Sequence, residues 1–416
     1  MSTSVMQAVE EDGAPAEAHA TTARISPRGA QTYVSELDGV RAMAVWMVIV
    51  GHLVAGWPNP EGSLTWIPRP ILFVLDHGWL GVDLFFVLSG FLITGILLDT
   101  RDHPFYFRNF YARRFLRIFP LYYAVIGITG LYYRDADGYF LISIFFLANF
   151  AYYFGVSVPH GPEVFWSLAV EEQFYIAWPW LVRLLSRRAL TAMACALVVG
   201  VPFLRLYATH RGMSLEWEIY MYTWFRIDGL AVGALLAVWV RSRFNEYGRS
   251  LKLASSLVGL SIAITFAGVP FGILGSGSPF RYTQVQLVFG AFLLAAVTLR
   301  GTRWTSPLRG SFAKLSGDLS YCMYLIHLCV GDVYEDLVHR AAWQPATMLG
   351  PFGAVLLRSI VVVGVSFGLA LLSWRFFERP ILRLKRHFEY APASRAPRGV
   401  PGDNVVLRTG DVTVVS

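Results

Sequence analysis

Long apolar runs separated by short polar connections make up most of the chain. Ten of them, at about 40–57, 79–98, 117–133, 164–182, 189–207, 222–240, 251–270, 282–299, 316–338 and 350–374, approach the ~20 residues that a helix needs to cross ~30 Å of hydrocarbon. An eleventh, 139–154, is shorter and ends in the turn-rich Ser157-Val158-Pro159-His160-Gly161-Pro162. The first run opens on Arg41 and closes near His52. Eleven positions at 3.6 per turn are about three turns, so both side chains share one helix face, roughly 16 Å apart. In a spanning helix Arg41 then sits at one surface and His52 well inside, where an ionisable group is a candidate functional site. The plainer reading is an arginine among headgroups and a histidine bonded to a neighbouring helix.

Composition narrows the class. Of 416 residues 55% are hydrophobic and only 15% charged, with a mean hydropathy of +0.49. Soluble domains carry about 25% charged residues. The expected fold is therefore an all-α, polytopic transmembrane helix bundle. Cys195, Cys322 and Cys329 all lie in apolar runs, which argues against a disulfide framework or a thiolate metal site. No H-x-x-x-H spacing supports a metal either, and none is expected.

The net charge of +7 follows membrane orientation, so no nucleic-acid partner is expected. One set of connections is basic: Arg101 to Arg117, Arg183 to Arg188, Arg241 to Lys252, Arg300 to Lys314, and Arg379 to Arg386. The other set has one arginine apiece: Arg69, Arg134, Arg211, Arg281 and Arg340. Cytoplasmic loops carry the excess of Lys and Arg. This alternation holds only if residues 134–163 leave and return on the outer side, and they are too few for two spans. Ten full spans plus one re-entrant or interfacial segment are expected, with both termini cytoplasmic. Residues 36–388 form the transmembrane domain, 1–35 a disordered cytoplasmic tail and 389–416 a flexible one.

Depth along the spans gathers the candidate residues. His52 lies roughly 8 Å below the outer end of its span, and Glu171 and Glu172 about 10 Å below theirs. Asp83, Arg226 and Asp228 fall in the same layer, and His327 a little deeper. Unpaired, each would be costly in lipid, so they face one another or a wet cavity. Histidines with carboxylates are the parts of general acid–base chemistry. Ser89 and Gly90 read as helix packing. On the cytoplasmic side, Arg108, Arg113, Arg114 and Arg117 stand among aromatic residues. They read equally as the positive-inside signal and as a grip on phosphate, which suits arginine's fork.

Six blocks, in order, resemble acyltransferase family 3, the integral-membrane O-acyltransferases of cell-surface glycans and some metabolites. They are Leu37-Asp38-Gly39-Val40-Arg41 with His52; Gly81-Val82-Asp83-Leu84-Phe85-Phe86-Val87-Leu88-Ser89-Gly90-Phe91-Leu92-Ile93-Thr94; and Ala112-Arg113-Arg114-Phe115-Leu116-Arg117-Ile118-Phe119-Pro120. Then come Trp166-Ser167-Leu168-Ala169-Val170-Glu171-Glu172-Gln173-Phe174-Tyr175, Leu319-Ser320-Tyr321-Cys322-Met323-Tyr324-Leu325-Ile326-His327, and Phe377-Glu378-Arg379-Pro380. Ala169 stands where the family commonly has serine, so that hydroxyl is not essential here.

The resemblance implies transfer of an acyl group, acetyl by family habit, from cytosolic acyl-CoA to an acceptor hydroxyl at the outer face of a bacterial inner membrane. His52 matches the family's essential histidine and Arg41 its partner. Arg113, Arg114 and Arg117 match the basic motif associated with the donor. The catalytic candidates are His52, Glu171, Glu172 and Asp83, with one of the glutamates expected to orient His52. Arg41, Arg113, Arg114 and Arg117 are the candidates for acyl-CoA, and Trp166, Arg226, Asp228 and His327 flank the site. Acyl-CoA is expected as co-substrate, with no permanently bound cofactor. The other partners are membrane lipids and a carbohydrate or glycoconjugate acceptor. The acceptor stays open among surface polysaccharides, a lipid-linked intermediate and a macrolide-type metabolite. No fused hydrolase-like domain is expected, which leaves room for a separate extracytoplasmic partner enzyme. The competing class is a transporter or flippase, which also uses ionisable residues at mid-membrane.

Overall fold

The computed structural model describes residues 34–55, 77–215, 217–242, 246–268 and 278–390. Within them the chain is helical, with no strand, and each of the ten spanning-length runs is met by a long helix. These are α1 (Glu36–Ala55), α2 (Leu80–Asp99), α3 (Tyr106–Tyr132), α5 (Phe165–Leu184), α6 (Arg187–His210), α8 (Thr223–Val240), α9 (Tyr247–Gly268), α10 (Arg281–Thr298), α11 (Ser311–Arg340) and α12 (Pro345–Ser373). Two short helices, α4 (Asp137–Ile144) and α7 (Glu218–Met221), lie between them. Five helices are long and apolar enough to cross a membrane by themselves, or six if the bent pair Arg281–Thr298 and Arg303–Arg309 is one span. Helices α5 and α11, which hold ionisable candidates, stand outside that group. The expected tails lie almost wholly outside the described residues, as do Arg69 and Arg243.

The outward faces explain the composition. Ile128 and Leu131 on α3, Phe203 on α6 and Leu372 on α12 are exposed. Large apolar faces of this kind belong against lipid rather than water. The chain is an integral membrane protein.

Residues 134–163 form only short helical pieces, the longest of eight residues. At 1.5 Å per residue that piece covers about 12 Å, well short of a span. Side-chain amides hold the segment in place: Gln173 on α5 donates to the Phe146 carbonyl at 2.9 Å, and Asn149 donates to Thr223 Oγ1 on α8 at 2.9 Å.

Helix α2 is central, packing on α1, α5, α8 and α10. Its approach to α8 depends on glycine. A Cβ on Gly90 would overlap the Leu230 carbonyl oxygen, and one on Gly233 that of Val87. Small residues permit this backbone contact, which replaces the hydrophobic drive that lipid cannot supply. Helix α1 lies against α2 on one side and α11 on the other. Its long-range neighbours therefore come from residues far away in the chain.

Candidate active site

Helix α1 places Arg41 and His52 on one face, and the two ends differ in surroundings. Arg41 pairs with Asp38 one turn earlier at 3.0 Å and remains partly accessible. His52 Nδ1 lies 2.9 Å from the Val48 carbonyl and 3.1 Å from His327 Nε2. His327 Nδ1 lies 2.8 Å from the Tyr324 carbonyl. A carbonyl only accepts, so both Nδ1 atoms carry hydrogen. His327 Nε2 is then the lone pair that accepts from the shared His52 Nδ1–H. The other nitrogen of His52, Nε2, keeps its own lone pair free. That is the state a base or nucleophile needs.

A cavity of about 140 Å³ runs between α1, α2, α3, α5 and α11. Arg41 on α1 and Arg114 and Arg117 on α3 line it, as do Ser167 and Glu171 on α5 and Tyr324 on α11. A water takes up about 30 Å³ in the liquid and drug-sized pockets are about 300–1,000 Å³. The cavity thus has room for a short acyl group and its thioester, not for a whole nucleotide. Glu171 accepts from Ser89 Oγ at 2.7 Å and from the Tyr175 hydroxyl at 3.0 Å, while the Arg114 guanidinium stacks over the Tyr175 ring.

The basic end extends beyond the residues expected. After α12 the chain passes through a π-helical turn, Trp374–Glu378, a short α13 (Arg379–Arg383) and a 3₁₀ turn, Leu384–Phe388, that packs on α3. Arg117 approaches Glu378 at 4.0 Å, and Arg113 reaches the Phe388 carbonyl at 3.5 Å. Lys385 comes within charge range of Arg117, Arg114, Arg113 and Arg41. Five basic side chains outnumber the carboxylates paired with them, Asp38 on Arg41 and Glu378 on Arg117, and so make a candidate anion site. Lys385 was visible in the sequence only as part of a C-terminal basic run.

Neither Glu171 nor Glu172 meets His52, although depth alone put all three in one layer. Glu171 turns to Ser89 and Tyr175, and Glu172 points toward Tyr122 and Tyr321 with Oε1 buried and unpartnered. His327 holds the position expected for a carboxylate.

Asp83 is also elsewhere. It accepts from Arg226 Nη2 at 3.0 Å and Gln286 Nε2 at 2.9 Å, and none of the three is exposed. Tyr282 and Tyr220 flank the Arg226 guanidinium at 4.4 and 4.9 Å, and Trp166 packs on Tyr220 with its ring tilted by 53°. Asp228 pairs with Arg205 at 2.9 Å and takes a further bond from Thr283. Arg205 also donates to the Pro279 and Phe225 carbonyls. Asp83, Arg226 and Asp228 therefore tie α2, α6, α8 and α10 together beside the cavity without lining it.

A third histidine, missed in the sequence, stands near the C-terminal end of α3, away from its arginines. His160 Nδ1 lies 2.6 Å from Asp332 Oδ1, and its side chain is 53% exposed. The Asp332 carboxylate holds its pKa above the ordinary histidine value. His160 is near enough for its charge to act on His52 and His327 alike. Its place in a Pro/Gly turn hid it, because turn chemistry explains such a segment without any site.

Comparisons with known proteins identify the family. A family model described as an acyltransferase domain matches residues 34–372. The chain is 28% identical over 386 residues to the peptidoglycan O-acetyltransferase OatA of Listeria monocytogenes, covering 85% of this chain and 56% of that protein. It is 30% identical over 377 residues to YrhL of Bacillus subtilis, covering 84% and 55%. To the O-acetyltransferase OatA of Staphylococcus aureus it is 26% identical over 384 residues, covering 86% and 58%. The chain thus matches little more than half the length of these relatives. No solved structure matches. Ordered motifs, a helical membrane bundle and a family match over most of its length lead to one conclusion: the chain belongs to acyltransferase family 3.

Proposed function

We propose that this protein is an acyl-CoA-dependent O-acetyltransferase of the bacterial inner membrane, carrying acetyl from the cytosol to a hydroxyl of a cell-wall glycan at the outer face. The observation that carries the reading is the path along α1. A cluster of cations stands at one end, a cavity of acyl size opens beside Arg41 and reaches Ser167 and Tyr324, and a histidine with a free Nε2, outside the cavity lining, stands at the other end of α1. The glycan acceptor is taken from the Listeria relative, a peptidoglycan O-acetyltransferase. Ten spans with both termini cytoplasmic suit the basic connections, since an even number returns the chain to its starting side.

In this scheme Arg41, Arg114, Arg117 and Lys385 hold the phosphates of acetyl-CoA, with Arg113 adding to the field. The thioester enters the cavity. His52 Nε2 attacks its carbonyl carbon, the C–S bond breaks, and CoA leaves as a thiolate that takes a proton from cytosolic water. The His52 imidazole is then an acyl-imidazolium, and His327 Nε2 accepts from its Nδ1–H and so stabilises the positive charge. The acceptor hydroxyl then takes the acyl group.

The test is CoA release from acetyl-CoA by purified, detergent-solubilised protein, with and without soluble peptidoglycan strands. His52→Ala is expected to lose roughly 10²–10⁴-fold, and Arg41→Ala to weaken donor binding. No release and no acetyl-CoA binding by folded wild type would overturn the reading and favour transport.

A further inference from the structure

His52 and His327 account for the donor half of the reaction but leave the acceptor hydroxyl without a base. Once His52 Nε2 is acylated, its lone pair is used. Its Nδ1 carries hydrogen, and His327 Nε2 is occupied by that hydrogen. A sugar hydroxyl attacking the acyl carbon must still lose a proton, and neither imidazole is free to take it.

Among the described residues, a carboxylate–histidine pair has the right chemistry and an exposed ring. Asp332 lies five residues beyond His327 on α11, roughly 7.5 Å farther along the helix axis. Its carboxylate accepts from three sides: His160 Nδ1 at 2.6 Å, the Tyr133 hydroxyl at 2.5 Å, and the Gly161 backbone N–H. The loop presses close on α11. A Cβ on Gly161 would overlap the Tyr133 hydroxyl oxygen and meet the Cys329 Cα at 3.0 Å. The carboxylate is therefore fixed from α3, from the outer loop and from its own helix. It orients the His160 ring in turn. A carboxylate that takes the Nδ1 hydrogen leaves Nε2 of the neutral ring as the open lone pair, which is the arrangement of a carboxylate-oriented base. Unlike the buried His327, His160 is exposed, so its Nε2 can meet an acceptor arriving from outside.

On the basis of the acyl-His52 step proposed above, we infer that His160, held by Asp332, is the general base for the acceptor hydroxyl. The acceptor oxygen forms a bond to the acyl carbon, and the bond from that carbon to His52 Nε2 breaks. The electron pair returns to the imidazole, which is again neutral with hydrogen on Nδ1. The hydroxyl proton passes to His160 Nε2 and then to outer water. With the proton taken up by the CoA thiolate in the cytosol, atoms and charge balance over the cycle. The two halves of the reaction thus use different histidines on different sides, and Asp332 is a positioning residue.

The competing explanation is a clamp: His160 and Asp332 merely fasten the outer loop to α11. Replacing His160 with asparagine separates the two, because the amide Nδ2 still donates to Asp332 while the base is gone. The experiment measures two rates on each purified variant: the first-turnover release of CoA from acetyl-CoA, and the transfer of labelled acetyl to soluble peptidoglycan strands. The expected result for His160→Asn is CoA release within about threefold of wild type and acceptor transfer reduced roughly 10²-fold or more. The retained first turnover shows that the variant is folded. Added imidazole is expected to restore part of the transfer in His160→Gly and none in His52→Ala. Transfer by His160→Asn within threefold of wild type, with an unchanged pH profile, would make His160 a clamp and overturn the inference alone. Wild type that neither binds acetyl-CoA nor releases CoA would overturn the donor reading and this inference with it.

Discussion

His327 Nε2 accepts from His52 Nδ1–H at 3.1 Å, across 275 residues of sequence. The rings are tilted by 50° with centroids 5.0 Å apart. This contact fixes the tautomer of His52, and so decides which of its nitrogens faces the chemistry. In the proposed scheme a neutral imidazole takes the part that a carboxylate plays in a serine-protease triad. It orients the ring and accepts from the cationic form without bringing a second buried charge into the membrane.

Removing that acceptor should therefore harm turnover more than binding. His327→Ala is expected to lower the rate of CoA release about 10–100-fold with little change in KM for acetyl-CoA. His327→Gln, whose amide oxygen can accept from His52, should recover part of the loss. Steady-state kinetics with acetyl-CoA checks both, and equal losses in the two variants would count against the tautomer argument.

The basic cluster should behave in the opposite way. Arg114→Ala and Lys385→Ala are expected to raise KM for acetyl-CoA severalfold while leaving kcat within about threefold, the mark of binding made equally in ground and transition states. Raising the salt should weaken wild-type binding more than that of either variant, because fewer charges then remain to be screened. Titration of binding at two ionic strengths provides the measurement.

Asp83 and Arg226 form a fully buried pair, so breaking it from one side is the damaging change. Arg226→Met alone should cost about 3–5 kcal/mol by leaving Asp83 charged and unpaired, whereas Arg226→Met with Asp83→Leu should be much milder. Thermal unfolding in detergent would read this as a large fall in Tm for the single variant and partial recovery for the double. A milder single variant would mean that Gln286 alone satisfies Asp83.

The outer histidine gives a pH dependence whose sign can be worked out. Asp332 accepts from His160 and raises its pKa above 6.5. The other groups around it are Glu163 in the following turn, Tyr133 just past the end of α3, Arg358 on α12, and His52 and His327. As a base His160 must be neutral, so acceptor transfer should rise with pH through a limb above 6.5. Asp332→Asn removes the chief cause of the shift, and the limb should move to lower pH. Stability runs the other way. A raised folded pKa contributes stability in full below the unfolded value, and that stability is lost as pH rises through the folded one. Transfer rates and Tm across pH 5.5–9 test both, and a limb unmoved by Asp332→Asn would assign it to another group.

Much of the architecture was legible because a membrane helix must carry its own apolar stretch. The ten runs and the short pieces of 134–163 needed no knowledge of neighbours. The same holds for Arg41 and His52, which share one helix. The fine choice of partners was not legible. Glu171 and Glu172 lie at the depth of His52 yet turn to Ser89, Tyr175 and Tyr122. Asp83 lies in the same layer and pairs with Arg226.

The sequence by itself determined the membrane class, the helices, their order and how far each ionisable group lies from the end of its helix. Rise per residue is a local property, so counting positions from a helix end gives that distance. Only the tertiary structure decided which way each group points around its axis and what it meets there. That angle depends on how helices from distant parts of the chain pack. Three associations arose in this way: His327 against His52, Lys385 among the arginines of α3, and His160 on Asp332. The physical reason is the same in each: a contact between two segments distant in the chain is set by the fit of both surfaces, and neither surface is written in the other's sequence.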